Sequence, residues 1–412
     1  MLFSPSASNV NYAITMTPTI AVQYLEHYSP QQHTPEAVRQ RLQAAFDRLP
    51  ISLVLLGWNT PRPLVDVCAE ITARRQARLF LWHPLLTSDG VFFPLPEWRT
   101  INLNGEIVSG FHSEPDFTFV CPNRPAVREA ALQRLSAVLR GSPFQGVFLD
   151  RIRFPSPAAA PDTQITCFCE ACRQTASQEG LDLDAVQLFL TGRLTQPDGC
   201  RSLAESLLTP SHARSEADLL ASFLDFRQRS ISRLVHEAAS IVTSQGMAVG
   251  LDCFTPRLAR MVGQDLTALN TACEWIKIMT YTHTLAPAGL PFELLGLASW
   301  LTSRFRISRV QVLHCMAEAS GLPLPASLSA LRINGLPPEA IQVEIQLGRT
   351  LGIRRLFVGA ALVDLPGINV ASAEQHAADL TACRTAAADG LVLSWDLWHI
   401  APERLEQVAK FS

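Results

Sequence analysis

The 412-residue sequence lacks any apolar run long enough to span a membrane. Its richest apolar stretch, Ile51–Trp58, falls well short of the roughly 18 to 20 residues that a transmembrane helix needs. The N-terminus also lacks the basic start and continuous apolar segment of a secretory signal. We therefore expect no membrane association, an irregular leader over residues 1–18 and a cytoplasmic location.

The sequence also has little net charge and no low-complexity tract. With 34 basic and 37 acidic residues, the net charge of −3 gives no electrostatic reason to expect a nucleic-acid partner. The composition is 48% hydrophobic and 17% charged, which suits a large buried core. We expect a compact domain over residues 19–412 without an organic cofactor, and the sequence does not indicate its oligomeric state.

Short β-branched apolar runs alternate with longer amphipathic stretches, a pattern typical of repeated βα units around a parallel sheet. Eight such runs predict a (β/α)8 TIM barrel, in which catalytic groups lie at the carboxyl ends of the strands. The predicted strands are Thr19–Leu25, Ser52–Trp58, Arg78–His83, Gly146–Ile152, Ala248–Phe254, Trp275–Tyr281, Arg355–Val363 and Gly390–Trp398.

Two further segments need an interpretation beyond the regular alternation. Val310–Met316 could be a ninth strand, but its apolar residues recur at helical spacing, so we predict a helix. Residues 155–215 are too long for an ordinary βα loop and predict an insertion on the C-terminal face after the fourth strand.

The fourth strand ends on a carboxylate in the segment GVFLDRIRFP. Asp150 is therefore the first candidate for catalysis, with an ion pair to Arg151 or Arg153 as the structural alternative. Together with the later segment CFCEACR, this strand resembles a largely uncharacterised family of TIM-barrel glycoside hydrolases with a DGVxLDxIRxP strand and a Cys-x-Cys-x-x-Cys loop. Gln145 stands where that pattern begins with Asp. The resemblance implies cleavage of a glycosidic bond at Asp150, and Arg153 is a further candidate for binding the substrate.

Three clustered cysteines, Cys167, Cys169 and Cys172, are spaced closely enough to bind one tetrahedral ion. Cys121 follows the third strand and is the best candidate for a fourth ligand. This layout is similar to the structural zinc site of family 42 β-galactosidases. Four thiolates leave no open position for water, so we predict a structural zinc that stabilises the insertion. The Asn-Glu pair and second Glu that catalyse in family 42 have no counterparts here.

Glycoside hydrolysis needs a second carboxylate. Asp252 at the end of the fifth strand is the preferred partner of Asp150, since the two strands are neighbours. Asp396 in the eighth strand and Asp364 after the seventh are the alternatives.

Period-two alternation places Lys277, Met279 and Tyr281 on one face of the sixth strand. If that face points inward, Lys277 needs a carboxylate neighbour, whose pKa it could lower. An inward lysine also leaves open a second function, a Schiff-base aldolase or lyase.

Aromatic and histidine side chains near strand ends are candidates for binding a sugar, because an aromatic face packs on the apolar face of a pyranose ring. A carbohydrate-binding barrel without activity is a third reading of the same residues. The candidate substrate-binding residues outside the motif are Trp58, Trp82, His83, Lys277, Tyr281, His283, Trp395 and Trp398.

Overall fold

The computed structural model describes residues 18–108, 117–158, 160–195, 199–208, 219–369 and 371–411. Eight parallel strands form a closed barrel in which each strand pairs with its neighbours in chain order and the last pairs with the first. The predicted (β/α)8 fold is confirmed. The strands are β1 (Thr19–Tyr24), β2 (Ile51–Leu56), β3 (Arg78–Pro84), β4 (Gly146–Asp150), β5 (Ala248–Cys253), β6 (Trp275–Ile278), β7 (Leu356–Ala361) and β8 (Gly390–Ser394).

The predicted strands begin within one residue of the observed ones, but all except β3 were predicted to end too late. The apolar pattern continues past the last ladder hydrogen bond because the segments after the strands are also buried. Trp58 and Asp396, predicted within strands, thus lie beyond the ends of β2 and β8. The predicted leader lies outside the described residues apart from Pro18.

Helices surround the barrel, and several begin at clear capping signals. Thr34 accepts a hydrogen bond from the Ala37 N–H at the start of α1, while Ser308 and Gln311 form a capping box at the start of α12. The helices are α1 (Pro35–Phe46), α2 (Arg62–Arg74), α3 (Pro125–Leu139), α4 (Pro161–Gln164), α5 (Glu170–Gln178), α6 (Leu183–Thr195), α7 (Gly199–Leu208), α8 (Leu219–Ser244), α9 (Pro256–Ala259), α10 (Leu266–Leu269), α11 (Leu290–Phe305), α12 (Arg309–Ser320), α13 (Leu328–Asn334), α14 (Glu339–Thr350), α15 (Ala373–Thr385) and α16 (Pro402–Phe411).

Both further segments of the sequence contain helices among the described residues. The stretch Val310–Met316 lies within α12, with Val312 and Met316 buried, so it is a helix and not a ninth strand. Between β4 and the long helix α8, the described residues contain the four helices α4 to α7. None of the helices in the described ranges is long and apolar enough to cross a bilayer.

Aromatic side chains fill the barrel interior. The Trp275 ring stacks between Phe148, with 5.1 Å between ring centroids, and Phe357, at 4.8 Å. These residues belong to a buried cluster that also contains Phe80 and Val392. The barrel is therefore a packed core without room for a ligand, and the place for a site in this fold is above it, at the carboxyl ends of the strands.

Candidate active site

Asp150 is the last residue of β4 and lies half-buried at the mouth of the barrel. Its Oδ2 accepts a hydrogen bond of 2.9 Å from the indole Nε1 of Trp82, and its Oδ1 accepts one from the backbone N–H of Arg151. Both carboxylate oxygens are thus held by N–H donors, which fixes the orientation of this side chain.

Two buried tryptophans and one arginine lie beside Asp150. The rings of Trp58 and Trp82 meet edge to face with centroids 5.1 Å apart, and the Arg151 guanidinium lies 5.0 Å from the centre of the Trp58 ring. Arg151 also donates to Thr87 and to the Ser88 carbonyl. The ends of β2, β3 and β4 therefore converge on one aromatic and cationic wall.

Glu26 also lies at the barrel mouth, two residues beyond β1, and was not among the residues that the sequence predicted. Its backbone N–H donates to Asp396 Oδ2, while the N–H of Leu25 donates to Asp396 Oδ1, each at 3.0 Å. Asp396 Oδ1 also accepts from the backbone of Trp398 at 2.9 Å. With three backbone donors, Asp396 holds the turn that carries Glu26.

The tight packing of that turn against β2 requires a glycine. Leu25 has a positive φ of 57°, and a Cβ added to Gly57 would lie 1.8 Å from the Leu25 carbonyl oxygen. The Gly57 N–H donates to the carbonyl of Tyr24. The backbone of Glu26 is therefore held by the Asp396 side chain, just after β8, and by the packing of Gly57, just after β2.

The electrostatic surroundings of Glu26 favour its protonated form. Burial raises the pKa of Glu26, and the carboxylates of Asp396 and Asp150 add to the rise, whereas His27 and Arg151 oppose it. A raised carboxyl pKa is typical of a group that donates a proton near neutral pH.

Asp252 and Lys277 form an ion pair deeper in the barrel. Lys277 Nζ is 3.0 Å from Asp252 Oδ2 and 3.2 Å from the side-chain oxygen of Gln23, which also accepts from Ser394. Lys277 therefore does point inward and has the carboxylate neighbour that its burial requires. Lys277 lowers the pKa of Asp252, as expected, but burial has the larger effect and raises this pKa to about 7.

Trp395 and Tyr281 lie on the opposite side of the mouth from the tryptophan pair. Their rings meet edge to face at 6.0 Å, with Tyr281 buried and Trp395 half-buried. The Tyr281 ring also lies 5.3 Å from Lys277 Nζ, which links this aromatic pair to the buried ion pair.

Two predicted substrate-binding residues are enclosed by protein. His83 is buried beside Arg134, and burial together with this cation lowers its pKa to about 3. The Arg153 guanidinium lies between the rings of Phe119, at 4.5 Å, and Phe254, at 4.8 Å, and donates to a backbone carbonyl. The Asp150 carboxylate still acts on Arg153, because it opposes the lowering of the Arg153 pKa by burial.

Three other predicted residues have partners outside the cluster around Asp150. His283 contacts the Asn334 carbonyl and Asp379, and Asp364 pairs with Arg404. The Trp398 ring packs edge to face on His33 with centroids 4.5 Å apart.

The four cysteines predicted as metal ligands form a candidate metal centre. Cys121, Cys167, Cys169 and Cys172 are all buried, and their sulfur atoms lie within 4.8 Å of one another. Cys121 Sγ is 3.4 Å from that of Cys172 and 3.5 Å from that of Cys169. Bonds of about 2.3 Å in a tetrahedron place sulfur atoms roughly 3.8 Å apart, so this donor set fits one metal ion.

Hydrogen-bond donors also surround the sulfur atoms. The backbone N–H of Ile101 lies 3.4 Å from Cys167 Sγ, and the Asn123 side-chain amide lies 3.4 Å from Cys172 Sγ. Such outer donors orient metal ligands and stabilise thiolate charge. The centre links the segment before α3 to the start of α5.

Comparison with known proteins supports the fold but gives no family. No family model matches the chain, and no curated protein matches its sequence. The glycoside hydrolase domain of PgaB (BpsB) from Bordetella bronchiseptica has a similar structure, with a TM-score of 0.53 and 12% identity over 94% of this chain and 96% of that one.

Two larger proteins share the fold over part of their length. A β-galactosidase from the psychrophilic Marinomonas ef1 has a TM-score of 0.55 and 12% identity over 95% of this chain and 59% of its own. The alpha-L-fucosidase isoenzyme 2 from Paenibacillus thiaminolyticus has a TM-score of 0.52 and 11% identity over 96% of this chain and 49% of its own. At these identities the likeness shows a TIM-barrel fold that is also found in glycoside hydrolases.

Proposed function

We propose that this protein is a glycoside hydrolase that cleaves an oligo- or polysaccharide, with Asp150 acting at the anomeric carbon. The observation that carries the proposal is the setting of Asp150 at the barrel mouth, where N–H donors hold both its oxygens beside two tryptophans. Glycoside hydrolysis needs a carboxylate in a fixed position next to the sugar ring, and aromatic faces suit that ring. Glycosidases with the same fold support this reading.

The aromatic residues at the mouth are proposed to form the sugar-binding walls. Trp58 and Trp82 line the side of β2 and β3, and Trp395 with Tyr281 lines the opposite side. Trp395 is only half-buried, which leaves part of its ring free to pack on a sugar. We propose that His83, Arg153 and Lys277 support this site from within the protein and do not touch the substrate.

The test of the proposed function is the change Asp150→Asn, which keeps the size of the side chain and removes its charge. A panel of aryl glycosides and soluble polysaccharides is assayed for released phenol and reducing ends. We expect turnover by the wild-type protein and a loss of kcat/KM of at least about 10²-fold in the variant. The matched control Asp66→Asn changes an exposed carboxylate on α2 and is expected to keep full activity.

Two results would overturn this proposal. Full activity of the Asp150→Asn variant would remove Asp150 from the reaction. Tight binding of a glycan by the wild-type protein without turnover would select the carbohydrate-binding barrel instead.

We also propose that the four-cysteine centre binds zinc in a structural role. The buried set of four sulfur ligands with N–H donors around it is typical of structural zinc sites. Bound there, zinc would crosslink the segment before α3 to the insertion after β4. It takes no part in bond cleavage, because four thiolates leave no position for water or substrate.

A further inference from the structure

A further carboxyl group whose pKa Asp150 influences follows β1 and not the strands that the sequence favoured. Asp252 is only 3% exposed and is paired with Lys277, and Asp396 accepts three backbone hydrogen bonds. Glu26, in contrast, is half-buried, and its side chain forms no hydrogen bond or ion pair with the described residues. Of these carboxyl groups, it is the one whose side chain is available at the mouth.

We infer that Glu26 is the second catalytic carboxyl group, the proton donor that works with Asp150, and that Asp396 is the residue that positions it. This inference rests on the proposed glycosidase function. Its geometric basis is the turn at Leu25 and Glu26, which Asp396 binds from β8 and against which Gly57 packs from β2. A turn fixed from both sides fixes the backbone of Glu26 at the mouth and so limits the positions that its carboxyl group can reach.

The electrostatic arrangement agrees with this division of roles. Asp150 receives hydrogen bonds on both oxygens, while burial and two neighbouring carboxylates favour the protonated form of Glu26. Pairs of carboxyl groups in contrasting environments are the usual basis for separating an acid from a base or nucleophile.

The reaction step follows from these roles. Glu26 gives its proton to the glycosidic oxygen as the bond from C1 to that oxygen breaks and its electron pair passes to the oxygen. The new bond at C1 forms from the Asp150 carboxylate itself, or from a water whose proton Asp150 takes. In the first case, water then releases the sugar from Asp150 and returns a proton to Glu26.

The first experiment compares Glu26→Gln with the wild-type protein on the substrate that the panel identifies. We expect kcat/KM to fall by about 10²- to 10⁴-fold and the alkaline limb of its pH profile to disappear, because glutamine has no proton to give up. If that substrate is an aryl glycoside, its 2,4-dinitrophenyl analogue should lose far less rate, since this leaving group departs without protonation. The control Glu36→Gln changes an exposed residue at the start of α1.

The positioning role of Asp396 has its own readout in Asp396→Asn. Since the negative charge of Asp396 favours protonated Glu26, its removal should move the alkaline limb to lower pH as well as lower kcat. A variant that is merely less well folded would lose activity without moving that limb, and its melting temperature gives the separate measure of folding.

The outcomes separate this inference from the proposed function. Turnover that is lost in Asp150→Asn but kept in Glu26→Gln, with an unchanged alkaline limb, would overturn the role of Glu26 and leave the glycosidase intact. No turnover by the wild-type protein on any substrate of the panel would overturn both.

Discussion

Lys277 and Asp252 show how a single buried pair constrains what a site can do. Burial by itself lowers the pKa of Lys277, but the Asp252 carboxylate and the Tyr281 hydroxyl outweigh it, so the pKa lies above its ordinary value. A lysine that forms an imine must be a neutral amine at working pH. The ion pair thus disfavours the Schiff-base reading and favours a structural role for Lys277 beneath the active site.

The ion pair of Asp252 and Lys277 predicts that the stability of the protein changes with pH. The pKa of Asp252 is about 7 in the folded protein and about 3.9 in an unfolded chain, so its contribution to the free energy of unfolding falls as pH rises between these values. Lys277→Met removes the ammonium and should raise that pKa further. We expect the variant to lose about 3 to 5 kcal/mol at pH 8 and less at pH 5, where Asp252 holds its proton.

Urea unfolding at both pH values measures this difference. The chain contains one other lysine, the exposed Lys410 of α16, and Lys410→Met is the matched control with an expected change within about 0.5 kcal/mol. An equal loss at pH 5 and pH 8 would show that Lys277 contributes packing alone.

At the scale of single residues, the sequence predicts part of the proposed site. Asp150 ends an apolar run, and strand alternation puts Lys277 on one face of β6 without deciding whether that face points inward. Glu26 fits the same strand-end rule, because it is the first residue after the predicted first strand. No motif marks it, however, and only the closed barrel shows that Asp396 binds its backbone.

At the scale of secondary-structure elements, the loops after β3 and β4 are linked because both carry cysteines of the candidate metal centre. The sequence predicted this link from spacing, since Cys121 and the cluster after β4 both follow strands and so emerge on the same face. It could not predict the N–H donors from Ile101 and Asn123, because these depend on how two loops pack.

We expect the wild-type protein to contain about one zinc ion per chain and Cys169→Ser to contain almost none. Loss of the ion removes the crosslink between the two loops, so the melting temperature should fall and proteolysis within residues 155–215 should become faster. Elemental analysis of the purified protein, before and after a chelator, measures the content and also identifies any other metal.

The control for this experiment is Cys315→Ser on α12, a partly exposed cysteine outside the cluster, which should keep its zinc. Full zinc content in Cys169→Ser would contradict the proposed ligand set. Iron in place of zinc would keep the site and change its metal.

For the molecule as a whole, the number and order of the strands were readable from sequence because each βα unit repeats the same apolar pattern. The packing inside the barrel could not be read from the sequence, because it depends on which residues of different strands meet. Three glycines lie against aromatic rings of the neighbouring strand: Gly146 against Phe80, Gly250 against Trp275 and Gly390 against Phe357. The glycines leave the space that these rings occupy inside the barrel.

This packing predicts opposite effects for the same substitution at two glycines. A Cβ at Gly250 would lie 2.2 Å from the Trp275 ring, which is itself stacked between Phe148 and Phe357, so the ring cannot move without disturbing the core. We expect Gly250→Ala to lower the free energy of unfolding by about 1 to 3 kcal/mol. A Cβ at Gly192, within α6, meets nothing within 4 Å, so Gly192→Ala should instead raise helix stability by about 0.5 to 1 kcal/mol. Denaturant unfolding of both variants measures the contrast, and a neutral Gly250→Ala would mean that the aromatic stack of the barrel yields to an added methyl group.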